Sequence, residues 1–204
     1  MKIAFAAAAA SIALIAVAAA APRNVAGFSA VSARSGTDVE VTVGPAFSVD
    51  VSGRDADRIV TRVSGDTLIV ETRRGWSWRG RSQARVRVTM PHVDGLSASS
   101  GADLTVTGVN AAEIRLDASS GADLRVSGSC GRFRADASSG SDIHAQNLRC
   151  ENGSADVSSG ADIRIYASNR LDVDASSGGG VVAYGDPGIG DIDLSSGGSL
   201  RRAD

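Results

Sequence analysis

Aromatic residues make up only 4% of the 204-residue sequence, too few large rings for a thick globular core. Cysteine and histidine each occur twice and form no paired ligand set, so a zinc site is not expected. The motif Gly-x-Ser-x-Gly is absent, and neither His92 nor His144 has a nucleophile partner by motif, so triad-type hydrolase chemistry is not expected. Beyond residue 21 no apolar run is long enough to span a bilayer, so the mature chain is expected to carry no transmembrane segment.

What is present begins with Met1-Lys2 and an apolar, alanine-rich run to Ala21. A short positive start, an apolar stretch and small residues at its end form the pattern of a secretory signal peptide, here over 1–20 with cleavage after Ala20. The chain is therefore expected to be exported, to the periplasm, the cell surface or beyond. Charge is uneven: Arg23 to Met90 holds 11 arginines and 7 acids, whereas Pro91 to Asp204 holds 9 arginines and 16 acids. The net of −7 on the second section repels phosphate and argues against nucleic acid as a partner.

That acidic section carries the strongest signal. Ser-Ser-Gly occurs six times, ending at Gly101, Gly121, Gly140, Gly160, Gly178 and Gly197, at intervals of 18 to 20 residues. A fixed period with a fixed local motif marks stacked units, none of which buries its apolar face alone. Around each glycine the residues alternate: Leu116, Ala118, Ala122, Leu124 and Val126 take one parity, Asp117, Ser119, Asp123 and Arg125 the other. Period-two alternation is the mark of a strand with one buried face. The expected fold is all-β, a single-stranded β-helix or β-solenoid of about six coils of 18–20 residues. Each Ser-Ser-Gly is a bend, with Ser120 inward beside Ala118 and Ala122, and stretches such as Thr107–Asn110 and Ser127–Cys130 are turns. At about 4.8 Å per coil the rod would be roughly 29 Å long.

Residues 21–90 read differently. Alternating segments at Asp38–Val43, Phe47–Val51, Thr67–Glu71 and Arg85–Thr89 are separated by turn signals such as Gly44-Pro45 and Ser64-Gly65-Asp66. This β-rich section is expected to form irregular first coils and to cap the repeat solenoid of 91–204. Arg201-Arg202 puts charge where a further coil would add, a device against end-to-end stacking.

Stacking brings like residues together. Cys130 and Cys150 are one repeat apart, within disulfide reach if coils stack about 4.8 Å apart, and an oxidising compartment favours the bond. Two files of carboxylates follow: Asp103, Asp123, Asp142, Asp162, and Asp117, Asp136, Asp156, Asp174, Asp193. Carboxylates about 5 Å apart repel by ~1 kcal/mol in water-like surroundings, so something must offset them. For the first file the options are Ca²⁺, a hard cation held by oxygen ligands, or turn amides together with Arg125 and Arg164; otherwise no cofactor is expected. Outward serines at 99, 119, 138, 158, 176 and 195 would form a hydroxyl ladder suited to polysaccharide or ordered water. The least solenoid-like stretch, Arg73 to Arg81, holds the only tryptophans. Trp76, Trp78 and Arg79 form its candidate ligand-binding set, for a sugar ring or an anionic envelope surface.

Phe28 to Val51, the Ser64–Leu68 turn, Val86–Pro91 and the repeated Ser-Gly-x-Asp-Leu/Ile units together resemble the auto-transporter adhesin head domain, or head GIN domain, family. The resemblance covers nearly all of the chain after residue 20. It implies a bacterial envelope or surface protein of β-solenoid fold with an adhesive role, and it brings no catalytic residues. The expectation is a non-enzymatic binding protein for a glycan or another envelope surface component. The alternatives are a polysaccharide-acting β-helix enzyme, with Asp and Arg on one sheet face, and a periplasmic scaffold.

Overall fold

A computed structural model describes residues 21–73 and 83–203. Apart from one short 3-10 turn at Ala56–Arg58, its regular structure is all strand: β1 (Ala21–Pro22), β2 (Ala30–Arg34), β3 (Asp38–Val43), β4 (Ser48–Gly53), β5 (Ile59–Ser64), β6 (Thr67–Thr72), β7 (Ala84–Met90) and β8 (Gly95–Ser99). Four long strands follow, β9 (Asp103–Ser119), β10 (Asp123–Ser138), β11 (Asp142–Val157) and β12 (Asp162–Ala175), then β13 (Gly180–Tyr184), β14 (Gly188–Leu194) and β15 (Ser199–Arg202). All join one continuous sheet that winds as a β-solenoid. Six Ser-Ser-Gly bends bound five full turns.

The coils stack in parallel and in register. Asp123 lies beside Asp103 and Asp142, and Asp142 beside Asp162. Leu104, Leu124, Ile143, Ile163 and Val181 form one buried file; Leu96, Leu116, Ala135, Ala155 and Val173 form another. The alternation puts every second side chain inside, where each touches its equivalent in the coils above and below. Cys130 and Cys150 are direct partners, disulfide-bonded with Cα atoms 4.5 Å apart.

The bends differ from the sequence expectation. The second serine and the glycine of each motif are both left-handed, Ser120 at φ 55° and Gly121 at φ 66°, with the same pair in every repeat. Two such residues in a row break the alternation, so Ser120 is exposed rather than inward while Ala122 returns to the core. Serine in this region costs about 1–2 kcal/mol. A lateral bond offsets that strain: the Gly121 N–H donates to the Ser139 carbonyl at 3.1 Å, and Gly101, Gly140, Gly160 and Gly178 repeat the pattern.

The stretches expected as turns are strand. β9 to β12 run 14 to 17 residues each, straight through Thr107–Asn110 and Ser127–Cys130, with slips of register such as those between Val126 and Gly128 and between Ala145 and Arg149. Gly128, at φ +138°, lets the chain bend there without leaving the sheet, and a Cβ on it would strike the Val109 backbone.

The N-terminal strands are woven into the same rod. Ser35-Gly36 is a seventh left-handed bend, and β2–β3 around it is a coil. β2 lies between β6 and β8, and β3 between β7 and β9, so the coil made first in the chain is second in space. The outermost coil, β6 with β7, is covered by antiparallel strands: β5 on β6, β4 on β7, and β1 on β4.

Candidate functional site

Parallel register turns a repeated sequence into straight surface lines. The second carboxylate file is continuous: Asp117 pairs with Asp136, Asp136 with Asp156, Asp156 with Asp174, and Asp174 with Asp193. Two residues nearer the bend runs the hydroxyl ladder, in which Ser99 pairs with Ser119 and Ser119 with Ser138. Between them lies a shallow groove of about 430 Å³, lined by Asp117, Asp136, Asp156 and Asp174 and by Ser119, Ser138, Ser158 and Ser176. Its floor is Ala118, Ala137 and Val157, small side chains that keep the groove open and belong to the core.

Electrostatics in the groove are tense. Partial burial, then repulsion from Asp136, raises the carboxyl pKa of both Asp117 and Asp156 above the ordinary value of 3.8. Arg134 reaches across the file, donating to Asp136 and to Asp156 at 3.2 Å each. One file further from the bend, Asp172 is held below the ordinary value, first by the Asp191 N–H at 2.8 Å and then by Arg170. The groove thus offers acceptors and hydroxyls in a row, with an exposed arginine at one edge.

The first carboxylate file is longer than the sequence expectation, because Asp38 on β3 pairs with Asp103. Burial first, and the neighbouring Asp103 and Asp142 against the relief of Arg125, raise the Asp123 pKa. Arg125 lies 3.8 Å from Asp123, so an arginine meets the file as one of the two offsets considered above. Ligand atoms of Asp123, Asp142 and His144 lie within 4.8 Å of one another. In its own file His144 sits between Arg125 and Arg164, and the Arg164 guanidinium lies 3.1 Å from its Nδ1. Burial, then Arg125 and Arg164, hold the imidazole below its usual pKa.

Trp76, Trp78 and Arg79 lie outside the described residues, as does the 1–20 segment expected to be a signal peptide. Three features went unread in the sequence. Asp38 is signalled by Ser35-Gly36-Thr37-Asp38, a copy lacking only the first serine. Arg134, which pairs with Arg115 in the preceding coil, reaches across the Asp file to Asp156. The third is an aromatic corner: the Arg149 guanidinium stacks 4.2 Å over the Tyr166 ring, and Tyr184 pairs with Tyr166 in the next coil.

A β-solenoid that carries polar files and a shallow groove belongs to the class of proteins that present a repetitive surface. Residues 27–187 match the family described as putative auto-transporter adhesin, head GIN domain, and the chain belongs to that family. Solved structures share the fold. A putative adhesin from Bacteroides fragilis superposes with a TM-score of 0.68 at 16% identity, over 90% of this chain and 94% of that one. A putative adhesin from Parabacteroides distasonis gives 0.56 at 13% identity, over 90% and 96%. A putative lipid binding protein from the same species gives 0.50 at 15%, over 93% and 98%. No curated protein matches the chain. Family and fold together support an adhesion-type binding protein, and none of these three relatives is named as an enzyme.

Proposed function

We propose that the protein is an exported, non-enzymatic binding protein of the bacterial envelope that holds a glycan or another polyhydroxyl surface component along the Asp–Ser groove. One observation carries this reading: Asp117, Asp136, Asp156 and Asp174 and their companion serines stand in register along one groove, so a linear ligand meets the same acceptor and hydroxyl at each coil. Carboxylates and hydroxyls spaced at the strand repeat suit a chain of sugar hydroxyls, and the openness of the groove suits many weak contacts rather than one deep pocket. The Trp76–Trp78 stretch would supply a second contact of the same kind, since its sequence sets an amphipathic aromatic pair among arginines. The disulfide fits an oxidising compartment outside the cytoplasm.

A glycan array probed with the intact protein, an Asp136→Ala/Ser138→Ala variant and a Trp76→Ala/Trp78→Ala variant tests the proposal. Signals lost in the first variant place binding in the groove; signals lost in the second place it on the tryptophan pair. Release of shortened glycan by the intact protein would overturn the non-enzymatic reading, and silence on the array would overturn the glycan. N-terminal sequencing of the protein recovered outside the cytoplasm tests export and cleavage after Ala20.

A further inference from the structure

The coil formed by β14 and β15 ends the sheet. β14 pairs only with β12 and β15 only with β13 among the described residues, which leaves one edge of each open. Ile192 and Leu194 occupy file positions that are buried in every earlier repeat, yet they are 51% and 44% exposed. Leu200, beside the buried Val181, is only partly covered. Open strand edges over uncovered core residues are a docking surface.

The geometry points to a second copy of this chain as the occupant, seated end to end about a two-fold axis through the Ser196-Gly197 bend. β14 runs into that bend and β15 runs out of it, so the axis lays β14 of one copy antiparallel to β15 of the other. It also opposes residues at equal distances from Gly197. Leu194 stands three before the glycine and Leu200 three after; Asp193 stands four before and Arg201 four after. Leu194 therefore meets Leu200 of the second copy, Asp193 meets Arg201 of the second copy, and symmetry makes each contact twice. Both Asp193 and Arg201 are exposed, and neither has an ion-pair partner among the described residues. Their neighbours Asp191 and Arg202 are tied within the chain, to Arg170 at 3.4 Å and Asp186 at 3.1 Å.

The same charges select this arrangement over others. The other two-fold stacking, with the axis across β14, lays that strand antiparallel on its own copy, bringing Asp191 and Asp193 against the same acidic strand and leaving Arg201 with no opposed acid. Head-to-tail stacking meets the end covered by the antiparallel strands β1, β4 and β5, which do not carry the Ser-Ser-Gly repeat and so offer β14 and β15 no in-register continuation of their files. Arg201, which in the sequence looks like a block to stacking, becomes the key to a closed pair. The pairing concerns the rod end and leaves the glycan reading of the groove untouched.

Sedimentation equilibrium of the full chain tests it, with a two-chain species expected at micromolar concentration. Arg201→Glu and Asp193→Arg should each sediment as single chains, because each opposes like charges. An equimolar mixture of the two variants should restore the two-chain species, as should the double variant Asp193→Arg/Arg201→Glu. Recovery on mixing also shows that each variant is folded. A wild-type protein that stays a single chain, one that forms open-ended polymers, or a dimer indifferent to both substitutions would overturn the inference.

Discussion

The two ends of the rod bury their last coils by different means. At one end β6 and β7 are covered by β5, β4 and β1, antiparallel strands that use up the open hydrogen-bonding edge, and Leu68 and Val86 beneath them are fully buried. At the other end β14 and β15 follow the repeat to its last residue, and Ile192 and Leu194 stand in water. A repeat specifies its own stacking but not its termination, so a cap needs residues that break the period. Residues 44–66, where the alternation is least regular, supply it at the first end. The second end keeps the period and with it an edge.

The largest test of that difference uses one core file. Leu116→Ala, in the middle of the rod, should destabilise by about 2–5 kcal/mol, whereas Ile192→Ala, four coils away in the same file, should change stability by under about 1 kcal/mol in dilute protein. Denaturant titration reads both, and equal effects would mean the open end is covered. Reduction of Cys130–Cys150, which closes a loop of about 20 residues, should lower stability by about 3 kcal/mol and loosen β10 and β11 before the capped end, as hydrogen exchange would show.

The bends sharpen the comparison because their strain is local. Gly140→Ala and Gly197→Ala each force alanine into the left-handed region with no close contact for the new methyl, so both should cost about 1–2 kcal/mol despite their different depth. A much smaller loss at Gly197 would show that the terminal coil frays.

Effects of pH are smaller. Asp117, Asp123 and Asp156 have folded pKa values above their unfolded ones, so the fold gains from their protonation as pH falls from neutral toward the ordinary carboxylate value of 3.8. His144 works the other way: its folded pKa is below 6.5, so its contribution is present above 6.5 and lost as pH falls through the lower value. Thermal melts of His144→Gln should therefore rise more on acidification from pH 7 to pH 5 than those of the wild type. The smallest expected effect is that of Ca²⁺. Arg125 already lies against Asp123 in the Asp103–Asp162 file, so millimolar Ca²⁺ should leave the melting temperature nearly unchanged. A clear rise that Asp142→Asn abolishes would make that file a cation site.

Most of the architecture was legible because period two and a period of 18 to 20 residues coexist in one sequence. The buried files, both Asp files and the Cys130–Cys150 pair follow from counting. What escaped counting was local backbone conformation and order in space. Ser120 has the parity of a core residue, but two left-handed residues in succession turn it outward. Gly128 has the composition of a turn, yet it bends a strand that never leaves the sheet. Nothing in the alternation of β2 and β3 says that their coil lies between β6–β7 and β8–β9, because parallel pairing is equally open to either neighbour. Of the candidate sites, the groove could be found by register alone, whereas Arg134 and the Arg149–Tyr166 contact depend on long side chains whose reach no repeat encodes.

The interleaved order at the capped end has a consequence for assembly. In a chain made N-terminus first, the β2–β3 coil appears earliest but gains both neighbours only once residue 107 has been made. From there every later coil finds a finished template and adds in the direction of synthesis. Removing β13 to β15 shortens the molecule by whole layers, whereas removing β2 and β3 severs cap from shaft. Length can therefore be trimmed or extended at one extremity only, and pulse-labelled exchange should see protection advance from β3 toward β15.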